Sequence, residues 1–147
     1  MDASSSEPPV GLLIGILVGF PIVFVTFWSF VCLVLGLVSG WMGLGSRYRT
    51  QAPEPGFSVT AGHAGLGLVG YGFTLQLGAA ADGLDLRLMP LFRPGHPPLR
   101  IPWDQVQAEG AAFSLIGRAV KLRLGEGGPV LRVSAETWEQ VQRQRPR

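Results

Sequence analysis

The stretch between Glu7 and Arg47 contains no charged side chain. Its apolar heart, Gly11–Gly45, is much longer than the roughly 20 residues that cross a hydrocarbon core. Between Leu17 and Leu37, fourteen residues are Leu, Ile, Val or Phe. On a membrane-insertion scale these residues together contribute about −6 kcal/mol. The run therefore predicts a transmembrane helix over 10–45, and hence an integral, single-pass membrane protein.

Two other interpretations of the run were weighed against a single pass. A cleaved signal peptide would begin with basic residues and carry an apolar part of about 7–15 residues. Here the leader is acidic and the apolar run is far longer. A two-pass hairpin centred on Pro21 or on Ser39–Gly40 stays open, although two spans and a turn need more residues than the run contains.

The charges that flank the run predict its orientation. The short tail 1–9 carries Asp2 and Glu7, whereas Arg47 and Arg49 follow the run directly. Because Lys and Arg are retained on the cytoplasmic side, we expect the tail to be extracytoplasmic and the rest of the chain cytoplasmic. An Arg-, Gly-, Ala- and Pro-rich composition is typical of a GC-rich genome. This favours a bacterial protein of the inner or plasma membrane.

Glycine spacing suggests a second role for the run. Residues four apart share one helix face, and stripes of small residues let helices approach closely. Such stripes predict self-association or pairing with another membrane protein, although chance in a glycine-rich chain also explains them. The residues concerned are Gly11, Gly15, Gly19, Gly36 and Gly40. Cys32 is the only cysteine, so it forms no intrachain disulfide and is read as a small apolar filler.

The chain beyond the run predicts one small, mainly β domain. Segment 46–56 contains TQAPEPG and is predicted to be a linker, because proline favours extended chain. In the following domain, 57–144, apolar residues alternate with polar or small ones, which is typical of half-buried strands. About seven strands are expected, at 57–61, 71–77, 84–88, 99–101, 107–113, 120–124 and 130–133.

Local signals place one hairpin and one helix in this domain. Asp82-Gly83 lies between two alternating runs and predicts a tight turn. Ser134 is a suitable N-cap for a C-terminal helix that would pack Trp138 onto an apolar surface. A terminal helix of this kind would cover a partial barrel. Residues 145–147 form a basic tail.

The order of elements resembles pleckstrin-homology-like and GRAM-like domains, including bacterial membrane-tethered versions. In addition, Phe92-Arg93-Pro94-Gly95-His96-Pro97-Pro98-Leu99-Arg100-Ile101-Pro102-Trp103 is similar to a segment of small uncharacterised bacterial membrane proteins. The resemblance implies a small bent sheet with a C-terminal helix, but no established activity. Phosphoinositide-binding relatives carry clustered Lys and Arg in the loop between their first two strands. The matching loop here, 62–70, has His63 and no Lys or Arg.

Other chemistries find little support in the sequence. Gly65–Gly70 matches GxGxxG, but a strand is expected after it rather than the helix that a dinucleotide site needs. His63 and His96 lie in separate loops, and a zinc site needs three or four clustered ligands. We therefore expect no metal, no cofactor and no catalysis. The scattered positive charge also argues against nucleic-acid binding.

The leading hypothesis is a non-enzymatic protein-binding or scaffolding role at the membrane. The alternative is lipid or small-ligand binding by the same domain. In the stiff, proline-rich loop, Arg93, His96, Arg100 and Trp103 are the candidate partner contacts. An alternative is that this loop packs His96 and Trp103 to brace the sheet. Candidate contacts with the membrane surface are the basic residues Arg47, Arg49, Arg143, Arg145 and Arg147.

Overall fold

The structure is a computed structural model that describes residues 8–114 and 117–147. Most of the predicted extracytoplasmic tail, with Asp2 and Glu7, lies outside the described residues. The chain divides into two compact units, Met1–Val31 and Cys32–Arg147.

The first helix, α1, spans Val10–Val38 and continues through Pro21. It is 29 residues long, and its mean hydropathy reaches 2.6. Within the described residues it is the one helix that is long and apolar enough to cross a membrane. At 1.5 Å per residue, Val10–Val31 rises about 33 Å, which is close to the thickness of a hydrocarbon core.

The apolar run forms two helices, although the sequence predicted one helix over 10–45. Gly40 has a φ of 84° and so occupies the left-handed region that ends helices. A second helix, α2, follows at Trp41–Tyr48. Trp41 and Leu44 are buried in the second unit. The break occurs at Ser39–Gly40, where the sequence had left a turn open, and α2 takes up part of the predicted linker.

Two antiparallel sheets make up most of the second unit. The first sheet has the strand order β1-β4-β5-β6, and the second has the order β3-β2-β9-β8-β7. The strands are β1 Ser58–Thr60, β2 Ala64–Leu66, β3 Val69–Gly70, β4 Leu75–Ala79, β5 Gly83–Leu88, β6 Leu99–Pro102, β7 Val106–Ser114, β8 Gly117–Leu124 and β9 Val130–Ser134. No closed barrel forms among the described residues.

The register confirms the predicted hairpin at Asp82-Gly83. Strands β4 and β5 pair antiparallel, with Leu77 opposite Leu86. The described residues form nine strands where about seven were expected, because the glycine-rich segment forms the hairpin β2–β3 and β2 pairs with β9. The strand expected from residue 71 begins only at Leu75, since Phe73 has a φ of 60° and interrupts the extended chain.

One hydrophobic core joins the two sheets with α2 and the C-terminal helix α3, Ala135–Gln144. Ser134 caps α3 as predicted, because its hydroxyl accepts a hydrogen bond from the Thr137 backbone N–H. Trp138 packs against the core as expected. The core is mostly leucine and includes Leu66, Leu75, Leu77, Leu84, Leu86, Leu99, Leu122, Leu124 and Leu131.

Candidate functional site

A buried polar cluster forms where the last turns of α1 meet the sheets. The Tyr71 Oη lies 2.8 Å from both the Ser39 Oγ and the His96 Nε2. The backbone N–H of Trp41 donates to the Ser39 Oγ at 3.3 Å. Ser39 is 1% exposed and His96 is 2% exposed. The cluster thus ties the end of α1 to the start of α2 and to two separate loops of the sheet unit.

The hydrogen-bond partners define where the protons of this cluster lie. His96 Nδ1 is 3.0 Å from the Pro94 carbonyl, which can only accept, so this ring nitrogen carries a hydrogen. Burial lowers the pKa of His96, and backbone hydrogen bonds to Pro94 and Phe92 only partly oppose this effect. In the neutral ring, Nε2 accepts, so the single hydrogen of the Tyr71 hydroxyl is shared between this nitrogen and the Ser39 Oγ. Burial likewise raises the pKa of Tyr71, so its hydroxyl keeps its proton.

Aromatic rings enclose the cluster. The Trp41 ring lies 5.8 Å from the Tyr71 ring and 5.3 Å from the His96 ring, in tilted and edge-on arrangements that such rings favour. The Trp41 Nε1–H donates to the Pro97 carbonyl at 2.9 Å. Because Trp41 is fully buried, it is a core residue of the sheet unit.

The two glycine stripes differ in their surroundings. A Cβ at Gly36 would lie 2.5 Å from the Gly95 carbonyl oxygen. Gly40 forms the left-handed turn, and a Cβ there would contact the Pro129 side chain. Both of these glycines therefore have a packing role within the chain, although the sequence proposed them for helix association. In contrast, a Cβ at Gly11, Gly15 or Gly19 would meet nothing within 4 Å. Their role in association stays a prediction.

An open groove lies beside this cluster, between α2 and the loop 93–98. Its volume is about 540 Å³, and its lining includes Arg49 and Arg93. Both arginines are exposed. Neither forms an ion pair or a side-chain hydrogen bond with another residue of the described part of the chain. No Asp or Glu lines the groove.

Arg100 belongs to a different cluster, centred on Asp85. This carboxylate is 2% exposed and pairs with Arg87 at 2.6 Å and with Arg100 at 2.9 Å. The same two guanidinium groups donate to the carbonyls of Ala52 and Pro53. The pair with Asp85 raises the pKa of Arg87. The predicted linker is consequently fixed to the first sheet at these two carbonyls.

The proline-rich loop mostly packs against the sheets, in agreement with the alternative in which His96 and Trp103 brace the sheet. His96 is buried, and the Trp103 Nε1–H donates to the Ala80 carbonyl at 3.0 Å. The Arg145 guanidinium lies 4.6 Å above the Trp103 ring. Of the four residues proposed as partner contacts, Arg93 is the exposed one, and it lies near His96 in the groove rather than with Arg100 and Trp103.

The five arginines proposed to meet the membrane lie at or just beyond the ends of two helices. Arg47 is in the last turn of α2 and donates to the Glu126 carbonyl at 3.4 Å, and Arg49 follows this helix. Arg143 is in the last turn of α3 and pairs with Glu139 at 3.8 Å, and Arg145 and Arg147 follow α3. The side chains of Arg143, Arg145 and Arg147 line a second, shallow surface depression.

Phe73 is a surface feature that sequence reasoning missed. Its side chain is 69% exposed, although the alternating pattern predicted a half-buried strand residue. Its φ of 60° is rare for a bulky side chain, and its backbone N–H is held by the Ala61 carbonyl at 2.8 Å. The His63 ring lies edge-on at 5.8 Å. Gly70 and Gly72, just before Phe73, were the one sequence signal against a strand.

Within residues 8–114 and 117–147, no three His, Cys, Asp or Glu side chains are grouped so that they could hold a metal ion. The two histidines, His63 and His96, lie in separate surroundings, one exposed and one buried. The GxGxxG segment forms the β2–β3 hairpin rather than the start of a helix. This hairpin lacks the helix N-terminus on which dinucleotide sites depend.

No protein-family model, no curated protein and no solved structure matches this chain.

Proposed function

We propose that this chain is a single-pass membrane protein whose sheet unit is a non-enzymatic, pleckstrin-homology-like module that binds a protein partner in the cytoplasm at the membrane. The exposed Phe73 carries the proposal. An aromatic side chain held outward on a left-handed backbone costs about 1–3 kcal/mol of strain, and such strain concentrates at functional surfaces. Aromatic residues are also enriched among the anchors of protein interfaces.

The way in which the sheet unit is attached supports a partner close to the bilayer. Residues Cys32–Val38 belong to the sheet unit, and Ser39 is hydrogen-bonded inside it. Further along the chain, the carbonyls of Ala52 and Pro53 accept hydrogen bonds from Arg87 and Arg100, the two arginines that pair with Asp85. The sheet unit therefore begins within the apolar run itself, directly after Val31. Its partner is accordingly expected to be a membrane protein or a protein already held at the membrane.

Two antiparallel sheets followed by a C-terminal helix are compatible with the pleckstrin-homology-like resemblance. The β2–β3 hairpin, which extends the second sheet, departs from it. It also occupies the loop in which lipid-binding relatives carry their basic residues. This departure favours protein binding over phosphoinositide capture at that loop.

Site-specific photo-crosslinking in intact cells tests the partner role. A photoreactive benzoylphenylalanine replaces Phe73 in one strain and the exposed Gln107 of β7 in a matched strain. We expect one discrete crosslinked product from position 73, and we expect the unlabelled Phe73→Ala variant to lose co-purification of the same protein. Equal products from both positions, or none from position 73, would contradict the proposal.

Cysteine labelling tests the membrane topology. In a Cys32→Ser background, single cysteines replace Ser4 or Gln144, and a membrane-impermeant maleimide is added to intact spheroplasts. We expect labelling of position 4 before lysis and of position 144 only after permeabilisation. Labelling of position 144 in intact spheroplasts would place the sheet unit outside the cytoplasm.

A further inference from the structure

The groove between α2 and loop 93–98 has the chemistry of a phosphate site. Arg49 and Arg93 both line it, both are exposed, and neither is neutralised by an ion pair within the described chain. Three other arginines of the sheet unit are neutralised by ion pairs: Arg87 and Arg100 pair with Asp85, and Arg123 pairs with Glu109. Among the described residues that line the groove, Arg49 and Arg93 are charged and none is Asp or Glu, so the lining carries net positive charge.

The groove also lies close to Leu33, in the part of α1 that belongs to the sheet unit. Gly95, which lines the groove, has a φ of 71°, and a Cβ there would lie 2.9 Å from the Leu33 Cα. An apolar span that begins at Val10 uses about 20 residues to cross the hydrocarbon core. Leu33 would then lie at the depth of the lipid headgroups. A phosphate at this level belongs most naturally to a phospholipid.

We propose that this groove binds the phosphate group of an anionic phospholipid, with Arg49 and Arg93 as the two ligating side chains. A guanidinium presents a planar fork of N–H donors that matches two phosphate oxygens, so two arginines can hold one phosphodiester from two sides. The exposed Met42 and the prolines of the loop supply an apolar wall for the glycerol backbone. This site adds a lipid ligand to the protein-binding role proposed above and does not depend on Phe73.

The test uses the full chain, purified in a zwitterionic detergent, and native mass spectrometry to count bound lipid. The probes are phosphatidylglycerol, phosphatidylcholine and inorganic phosphate, added separately. We expect one phosphatidylglycerol per chain, with at least tenfold weaker binding of phosphatidylcholine and of free phosphate. Arg49→Ala and Arg93→Ala should each weaken phosphatidylglycerol binding roughly fivefold, as expected for one basic residue at an anionic surface.

Matched variants separate a built site from general surface charge. Arg118→Ala removes an equal charge from an exposed position on β8 and should leave binding within twofold. Arg93→Lys keeps the charge but removes the fork, and should recover only part of the loss. Ser46→Glu places an anion on the groove-lining face of α2 and should abolish binding, whereas Ser58→Glu on β1 should not.

Three results would overturn the proposal. The first is an equal loss of phosphatidylglycerol in Arg118→Ala and Arg93→Ala. The second is equal binding of phosphatidylcholine. The third is saturation by inorganic phosphate at the same concentration as by phosphatidylglycerol, which would assign the groove to a soluble phosphate compound. Circular dichroism of each variant verifies that its fold is retained, and these exposed positions leave the core untouched.

Discussion

Removal of the Tyr71 hydroxyl tests whether the end of α1 is part of the folded sheet unit. In Tyr71→Phe, Ser39 keeps the Trp41 N–H as a donor to its hydroxyl oxygen. His96 Nε2, in contrast, loses the donor that lies 2.8 Å away and stays buried without a partner. A buried polar atom left in this state costs about 1–3 kcal/mol. We therefore expect the free energy of unfolding to fall by about 2 kcal/mol.

The full chain in detergent micelles allows this measurement. Near-ultraviolet circular dichroism reports the packing of the aromatic side chains, Trp41 among them. A loss of about 2 kcal/mol should lower the unfolding midpoint by about 8 °C for a unit of this size. Tyr48→Phe is the matched control, since it removes the same atom from a half-buried ring. The Tyr48 hydroxyl makes no hydrogen bond to another described residue. Its removal should change stability by less than about 0.5 kcal/mol.

A double-mutant cycle isolates the contact itself. If the hydroxyl acts through His96, the effects of Tyr71→Phe and His96→Ala should be non-additive by about 1 kcal/mol. The reasoning is refuted if Tyr71→Phe destabilises no more than Tyr48→Phe. It is also refuted if the two effects at positions 71 and 96 simply add.

Three more predictions concern the same unit. Burial lowers the pKa of His96 below its unfolded value near 6.5, so its contribution to stability is present above that pH and is lost as the pH falls through the lower folded value. Denaturant titrations should therefore give a smaller free energy of unfolding at about pH 5 than at about pH 7.5. His96→Gln should reduce this difference. Gly36→Ala places a Cβ 2.5 Å from a carbonyl oxygen and should lower the unfolding free energy by about 1–3 kcal/mol, whereas Gly15→Ala, with open space, should not. Asp85→Asn leaves two guanidinium groups without their buried carboxylate and should lower the free energy of unfolding in urea by about 3 kcal/mol. The control Asp82→Asn, whose side chain is 72% exposed, should lower it by less than about 0.5 kcal/mol.

Sequence patterns predicted strands best where local rules decide the structure. The alternating leucines of β5 and β8, the turn at Asp82-Gly83 and the Ser134 cap depend on neighbours within a few residues. The extra hairpin β2–β3 was not predicted, because its pairing with β9 joins segments about 65 residues apart. A glycine-rich segment carries no alternating pattern, and so its strands are visible only when a distant partner is in place.

The candidate site was less predictable than the fold. Tyr71, Ser39 and His96 carry no shared motif and are brought together from three separate segments. In the sequence, Asp85 is a polar residue between the apolar residues of an alternating strand, a pattern that predicts an exposed side chain. In the structure it is buried between two arginines. Arg49 and Arg93 are 44 positions apart, and only the packing of α2 beside the loop 93–98 makes them neighbours of one groove.

By itself, the sequence determined that the chain contains an apolar helix of membrane-spanning length, a β-rich unit and a capped C-terminal helix. Charge, hydropathy and short-range periodicity suffice for these features because they act along the chain. Only the tertiary structure decided which part of the apolar run belongs to a folded unit. Cys32–Val38 looks no different from the residues before it in composition. Its role depends on Gly95, Tyr71 and His96, which approach it from far along the chain.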